Sequence, residues 1–208
     1  MPSTVSARSL LRVAALSAAF IPVACGQPKV TRIDPNAVTD LSGGWNDTDS
    51  RLVANELIES SLSQPWLRRY TEAHGGEAPV VIIGHFANNT MEHIPVATFT
   101  KELEKAYVTS GAVRVVASKD ERVDVRDERA DQQQNATAAT RARLAQELGA
   151  KYMLQGTIES ITDSQGREKV IYYQIDATLV DLQSNEKVWT GQKQTKKYIQ
   201  RPRFRGTP

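Results

Sequence analysis

The side chains that most often carry chemistry are scarce in this chain, which has one cysteine and three histidines. The histidines are His74, His85 and His93, and none has an i,i+4 partner or a nearby cysteine to complete a metal site. His85 and His93 could approach each other around a loop, but two scattered histidines are more often polar surface residues. No nucleophile elbow, P-loop or dinucleotide fingerprint occurs. The sequence therefore predicts no catalytic centre, no cofactor and no metal.

The cysteine, Cys25, ends a segment suited to export. Residues 1–24 contain two arginines, no acid, and an apolar run from Val13 to Ala24 that is too short to span a bilayer. This pattern predicts a signal peptide. A lone thiol in an exported chain forms no internal disulfide, so acylation explains it better than chance. The sequence IPVACG resembles a lipobox, with Pro22 where leucine is usual; a simple signal peptide with an incidental cysteine is the alternative.

Acylation of Cys25 would place the protein at a membrane. Each buried CH₂ of an acyl chain contributes about 0.8 kcal/mol, so several chains hold a protein firmly. Gly26, which follows the cysteine in place of aspartate, resembles lipoproteins that are sent to the outer membrane. The expected location is therefore the periplasmic face of the outer membrane, with a lipid anchor.

Charge is unevenly distributed. Residues 193–208 hold six lysines and arginines and no acid, which leaves the body from Cys25 to Gln192 acidic. Because the chain is exported, we expect no nucleic-acid partner. The tail would instead meet anionic lipid headgroups, an acidic cell-wall polymer or an acidic protein surface. A solvated tail without a ligand is the alternative.

The most regular pattern lies between Lys151 and Lys193. Apolar residues occupy alternate positions in its middle segment: Ile171, Tyr173, Ile175, Ala177 and Leu179. This spacing predicts a half-buried strand. The segments on either side also alternate, and polar turns separate them around Gly166 and around Ser184 and Asn185. We therefore predict a three-stranded antiparallel meander with one apolar face to cover.

Helices and strands that could cover this face precede the meander. The predicted elements are a helix that starts after Asp47 as its N-cap and runs to about Ser63, a strand at Pro79–Phe86, a helix at Ile94–Ser110 ended by Gly111, a strand at Ala112–Ala117, a charged helix at Lys119–Asn135 and a helix from Thr137 to Leu148. The helical crossover should make the two early strands parallel. The predicted fold class is α/β: a single domain with a mixed sheet of about five strands, a C-terminal antiparallel meander and flanking helices.

The expected organisation follows from these elements. Residues 1–24 are a signal peptide, residues 25–45 a lipidated cysteine with a flexible linker rich in proline and glycine, residues 46–198 an α/β periplasmic domain, and residues 199–208 a basic tail.

Two parts of the sequence resemble a known family. One combines Leu148-Gly149-Ala150-Lys151-Tyr152-Met153-Leu154, a strand that ends at Leu182, and Glu186-Lys187-Val188-Trp189-Thr190-Gly191 after a polar turn. The other is upstream, where the strand Val80–Ile83 runs into Phe86, Asn88, Asn89 and Thr90. Together they resemble the LpoB-type family of outer-membrane lipoprotein activators of class A penicillin-binding proteins, over roughly residues 78–195.

The resemblance implies a non-enzymatic, monomeric protein that binds a bifunctional peptidoglycan synthase and stimulates it, with only its lipid in the membrane. Phe86, Asn88, Asn89 and Thr90 are then candidate partner-binding residues. The three polar ones fit a surface loop that recognises a partner and equally fit a turn whose side chains satisfy backbone groups. A different function, that of a structural or assembly lipoprotein related to curli-type secretion, stays open; oligomerisation would distinguish it.

Overall fold

The structure is a computed structural model, and it describes residues 30–135 and 149–202. The chain divides into two units after Pro35. The described residues of the first unit, 30–35, are exposed. The second unit begins at Asn36 and contains every helix and strand described below. The helix predicted at 137–148 lies outside the described residues.

Four helices and five strands make up the described part of the second unit. In chain order they are α1 (Asp47–Leu62), α2 (Pro65–Ala73), β1 (Val80–Asn88), α3 (Val96–Ser110), β2 (Arg114–Val115), α4 (Glu121–Asn135), β3 (Tyr152–Gln165), β4 (Glu168–Asp181) and β5 (Lys187–Gln200). The strands form one sheet in the order β2-β1-β3-β4-β5. The predicted α/β fold with a five-stranded mixed sheet is confirmed.

Strand directions also match the prediction. β1 pairs in parallel with β2 and β3, whereas β3, β4 and β5 pair antiparallel and form the meander. Gly166 at the first meander turn has φ 59°, and Asn185 at the second has φ 61°. Both residue types adopt the left-handed region more readily than others do, which suits them to these turns.

The start of the first helix differs from the prediction. Asn46, not Asp47, is the N-cap, because its side chain accepts a hydrogen bond from Asp49 N while the Asp49 carboxylate accepts one from Asn46 N. This reciprocal pair is a capping box, a pattern that places the cap three residues before the acid. Pro65 then begins a separate helix, α2, whose Trp66 lies in the same core as the apolar residues of α1.

The core lies between the sheet and the helices α1 and α3. All five alternating residues of β4 are at most 1% exposed, as predicted. The helices contribute further residues that are at most 2% exposed: Val53, Ala54, Leu57 and Ile58 from α1, and Phe99, Leu103 and Tyr107 from α3. The Tyr107 hydroxyl is satisfied inside this core by Ser61 Oγ at 2.8 Å. Burial raises the pKa of Tyr107 to about 12, so the phenol stays neutral.

Candidate functional site: the loop after β1 and the Lys197 junction

The loop after β1, residues 88–92, is shaped by the side chain of Asn88. Its Oδ1 accepts from Thr90 N at 3.0 Å and from Thr90 Oγ1 at 2.7 Å, and its Nδ2 donates to the Glu92 carbonyl at 2.8 Å. Thr90 Oγ1 in turn accepts from Glu92 N at 3.1 Å. Asparagine side chains commonly bond the backbone two residues on in this way. Asn88 and Thr90 therefore hold the loop in shape.

The other two predicted residues have different environments. Phe86 is 1% exposed, and its ring meets that of Phe99 edge-on with centroids 5.4 Å apart. Asn89 is exposed; its amide donates to the Glu159 carboxylate at 2.6 Å, and its backbone N–H donates to the Ile158 carbonyl at 2.9 Å. Of the four residues, Asn89 presents the most accessible side chain, beside the fully exposed Met91. Partner binding by this loop stays a prediction.

We expect Asn88→Ala to lower the free energy of unfolding by about 1–3 kcal/mol, since half-buried backbone groups of the loop lose their hydrogen-bond partner. The measurement is urea unfolding of soluble chains spanning residues 26–208. Asn89→Ala is the matched control, because an exposed position should change stability by only about 0.5 kcal/mol. Equal losses for the two variants would show that Asn88 does not shape the loop.

Glu92 ends the loop and joins it to two other parts of the fold. Its Oε2 accepts from the Tyr173 hydroxyl on β4 at 2.7 Å and from Trp45 N at 3.1 Å. The Trp45 ring lies edge-on to Tyr173 at 5.4 Å and to Phe99 at 6.0 Å. Burial and the nearby Glu92 carboxylate both raise the pKa of Tyr173, so its hydroxyl remains a donor at neutral pH. The loop is thereby fixed to the sheet and to the entry of α1.

A second polar cluster, which we name the Lys197 junction, comprises Asp40, Gly44, Asp49 and Lys197. Lys197 Nζ lies 2.5 Å from Asp49 Oδ2 and 2.8 Å from Asp40 Oδ1, and it donates to the Gly44 carbonyl at 3.0 Å. The side chains of Lys197 and Asp49 are only 12% and 8% exposed. The junction therefore ties the chain before α1 to the edge strand β5.

The contacts of the junction stabilise the charged forms of Lys197 and Asp40. Burial acts to lower the pKa of Lys197, but the hydrogen bonds to Asp40 and Asp49 outweigh it and the pKa is raised. The hydrogen bond from Lys197 also lowers the pKa of Asp40. Opposite charges in contact favour each other's ionised form, so the ammonium group stays charged although it is largely buried.

The predicted boundary between linker and domain at residue 45 falls inside this packed structure. Residues 36–45 belong to the second unit, and Trp45 lies against the core. Gly43 has φ 71°, and a Cβ there would come within 2.3 Å of the Ile199 side chain. Glycine thus allows close passage beside β5. The junction escaped sequence reasoning because Lys197 is one of six lysines and arginines in the acid-free stretch 193–208, and no spacing distinguishes it from the others.

The remaining predicted residues are the three histidines and Cys25. His74, His85 and His93 are all exposed. In residues 30–135 and 149–202, no group of three or more histidines, cysteines, aspartates and glutamates is placed to hold a metal ion. Cys25 lies outside the described residues. In those same ranges no helix combines the length and apolar character that crossing a membrane requires.

The outer face of the meander, opposite the core, carries a chain of amide and carboxylate contacts. Gln174 and Gln192 each donate to Asp176, at 2.7 and 2.8 Å, and Gln194 donates to Gln192 at 2.7 Å. The alternate residues of β4 on this face are half-buried, and those of β5 are exposed. The meander therefore presents a polar face on the side away from the core.

No curated protein matches the chain significantly. Among solved structures, the NMR structure of E. coli LpoB is 16% identical over 97% of this chain and 96% of that one, with a TM-score of 0.36. The LpoB C-terminal domain from Salmonella enterica is 19% identical over 63% and 93%, with a TM-score of 0.33. Lipoprotein GNA1162 from Neisseria meningitidis is 19% identical over 58% and 83%, with a TM-score of 0.36.

These TM-scores are low, so the family assignment depends on sequence. The family model described as peptidoglycan-synthase activator LpoB matches residues 49–195, which is well over half of the chain. The match begins at Asp49 in α1 and ends within β5, so it includes strands β1 to β4 and most of β5. The chain therefore belongs to the peptidoglycan-synthase activator LpoB family.

Proposed function

We propose that this protein is a lipid-anchored, non-catalytic activator that binds a class A penicillin-binding protein in the periplasm and stimulates it. The observation that carries the proposal is the family match over residues 49–195. The matched region holds strands β1 to β4, most of β5, the loop after β1 and one member of the Lys197 junction, Asp49.

Activation by a binding protein has a thermodynamic requirement. The activator must bind the active state of the synthase more tightly than the inactive state, because equal affinity shifts no population. A tenfold preference corresponds to about 1.4 kcal/mol, which one or two well-placed polar contacts supply. The hydrogen bonds of Asn88 and Glu92 order the loop after β1 before any partner arrives. Such preorganisation lowers the entropic cost of binding.

A lipid anchor would limit the distance from the membrane at which the protein can bind its partner. We propose that Cys25 is acylated and holds the protein at the periplasmic face of the outer membrane. The compact unit begins at Asn36. A fully extended chain spans about 3.3–3.6 Å per residue, so the segment between Cys25 and Asn36 reaches at most roughly 40 Å. The synthase would have to meet a folded unit whose first residue is held within that distance of the membrane surface.

The test combines binding with activity. A soluble chain of residues 26–208 is used to capture a purified class A penicillin-binding protein, and glycan polymerisation by the synthase is measured with and without it. Binding together with faster polymerisation supports the proposal. Binding without stimulation contradicts the activator role, and the absence of both contradicts the partner. Ring formation in light scattering would instead favour an assembly lipoprotein.

One variant tests the predicted contact at the loop after β1. We expect Met91→Asp to weaken synthase binding by on the order of tenfold, because it replaces a fully exposed apolar side chain at the proposed contact with a charged one. The fold should be unaffected, which a thermal unfolding scan checks. Lys119→Asp, an exposed change elsewhere, is the control. Unchanged affinity for Met91→Asp would remove the loop from the interface while leaving the activator role intact.

A further inference from the structure

Within residues 30–135 and 149–202, no strand pairs with the outer side of β5, the edge strand of the sheet. Hydrogen-bonded and non-hydrogen-bonded pairs alternate along antiparallel strands. Just beyond the last pair of β4 and β5, Arg201 N donates to the Arg167 carbonyl at 3.0 Å. Because the two kinds of pair alternate, the odd-numbered residues of β5 direct their N–H and C=O groups toward β4, as Arg201 does. The even-numbered ones direct theirs to the free edge: Thr190, Gln192, Gln194, Lys196, Tyr198 and Gln200.

This edge lacks most of the devices that protect strand edges. Natural sheets usually blunt their edges with short strands, prolines, bulges or outward charges. β5 has 14 residues and no proline, and its register with β4 is continuous from Trp189 to Gln200. Two of its lysines are directed inward, where Lys193 pairs with Glu56 and Lys197 with Asp49. The stretch Thr190–Gln194 therefore offers open backbone with neutral outward side chains.

The charge around the edge indicates what would pair with it. Between Lys187 and Pro202 there are four lysines, one arginine and no acid. Lys196 is exposed on the outward side of this stretch. A second copy would bring the same basic strand alongside and oppose like charges, which disfavours self-pairing. An extended segment with acidic side chains has the complementary charge.

We propose that the free edge of β5 binds an acidic extended segment of a partner protein by strand addition. Main-chain hydrogen bonds to Gln192 and Gln194 would supply affinity, and carboxylates near Lys196 and Lys187 would supply selectivity. The proposal goes beyond synthase activation and does not depend on it, because any acidic strand of suitable length is predicted to bind.

The first test uses a defined probe and the soluble chain of residues 26–208. The probe is an acetylated and amidated seven-residue peptide of alternating threonine and glutamate; its counterpart has lysine in place of glutamate. Amide hydrogen exchange, measured by NMR, should slow at Gln192, Gln194 and Lys196 on addition of the acidic peptide. Exchange at Lys193 and Thr195, which already bond to β4, should not change. Added salt should weaken the effect.

Two variants separate backbone pairing from charge attraction. Gln194→Pro removes an edge-facing N–H without removing a bond to β4, as is tolerated on edge strands. We expect it to weaken peptide binding by on the order of tenfold, while Gln194→Ala, which keeps the donor, binds as the native chain does. Lys196→Glu reverses a charge but keeps the backbone N–H, and it should also weaken peptide binding.

Three outcomes would overturn the proposal. One is unchanged exchange at the three edge amides at saturating acidic peptide. Another is equal binding of the lysine peptide. The third is protection of the same amides that rises with protein concentration in the absence of peptide, which would show that a second copy occupies the edge.

Discussion

Replacement of Lys197 by methionine is expected to lower the free energy of unfolding by about 2–4 kcal/mol, because it leaves a largely buried carboxylate without its cation. That carboxylate is Asp49, which is 8% exposed and lies 2.5 Å from the Lys197 ammonium. Methionine retains most of the packing of the lysine stem, so the loss reports on charge. Urea unfolding of residues 26–208 measures it.

A second lysine on the same strand provides the control. Lys193 pairs with Glu56, whose side chain is 58% exposed. Exposed ion pairs contribute about 0–1 kcal/mol, so Lys193→Met should cost little. Adding Asp49→Asn to Lys197→Met should recover part of the lost stability, since no buried charge is then left unpaired. Equal losses for the two lysine variants would contradict a structural role for the Lys197 junction.

The stability lost in Lys197→Met should depend on pH, because the pKa values of Asp40 and Lys197 are shifted in the folded state. The pKa of Asp40 is lowered in the folded state, so its stabilisation is present above the ordinary value of 3.8 and is lost as pH falls through the lowered value. The pKa of Lys197 is raised, so its stabilisation is present below 10.5 and is lost as pH rises through the raised value. The difference in the free energy of unfolding between the native chain and Lys197→Met should therefore be largest between these two pH limits and should decrease in acid.

The meander could be predicted from sequence because its signals are local. The period-two alternation of β4 decides which side chains are buried, and the residues at its two turns tolerate positive φ. The crossover through α3 likewise makes β2 parallel to β1. Each of these features depends on residues only a few positions apart, or on a connection whose handedness is fixed by chirality.

The contacts that fix the loop after β1 to the sheet and that form the Lys197 junction could not be predicted, because they join residues distant in sequence. Lys197 and Asp49 are 148 positions apart, and Tyr173 and Glu92 are 81 apart. No spacing rule relates such residues. Phe86 ends an apolar run, Pro79–Phe86, that favours a buried strand, but the pairing of β1 with β3 shifts register between Ile83 and Phe86. An irregularity of this kind changes which side chains face the core, and an apolar run does not reveal it.

Phe86 has room in the core only because residue 156 is glycine. A Cβ at Gly156 would lie 2.5 Å from the Phe86 ring and 2.2 Å from the carbonyl oxygen of Asp176. A ring can turn, but the Asp176 carbonyl belongs to the paired strand β4 and cannot move without breaking the ladder. Gly156→Ala is therefore expected to lower the free energy of unfolding by about 3 kcal/mol, at the upper end of the usual cost of overpacking.

Two comparisons make this prediction specific. Gly149→Ala is the matched control, because nothing lies within 4 Å of the position a Cβ would take there. Combining Gly156→Ala with Phe86→Leu relieves the contact with the ring but not the one with Asp176, so stability should be recovered only in part. Full recovery would show that the ring alone excludes a side chain at position 156. An unchanged urea midpoint for Gly156→Ala would contradict the close approach of β3 and β4 on which the buried position of Phe86 depends.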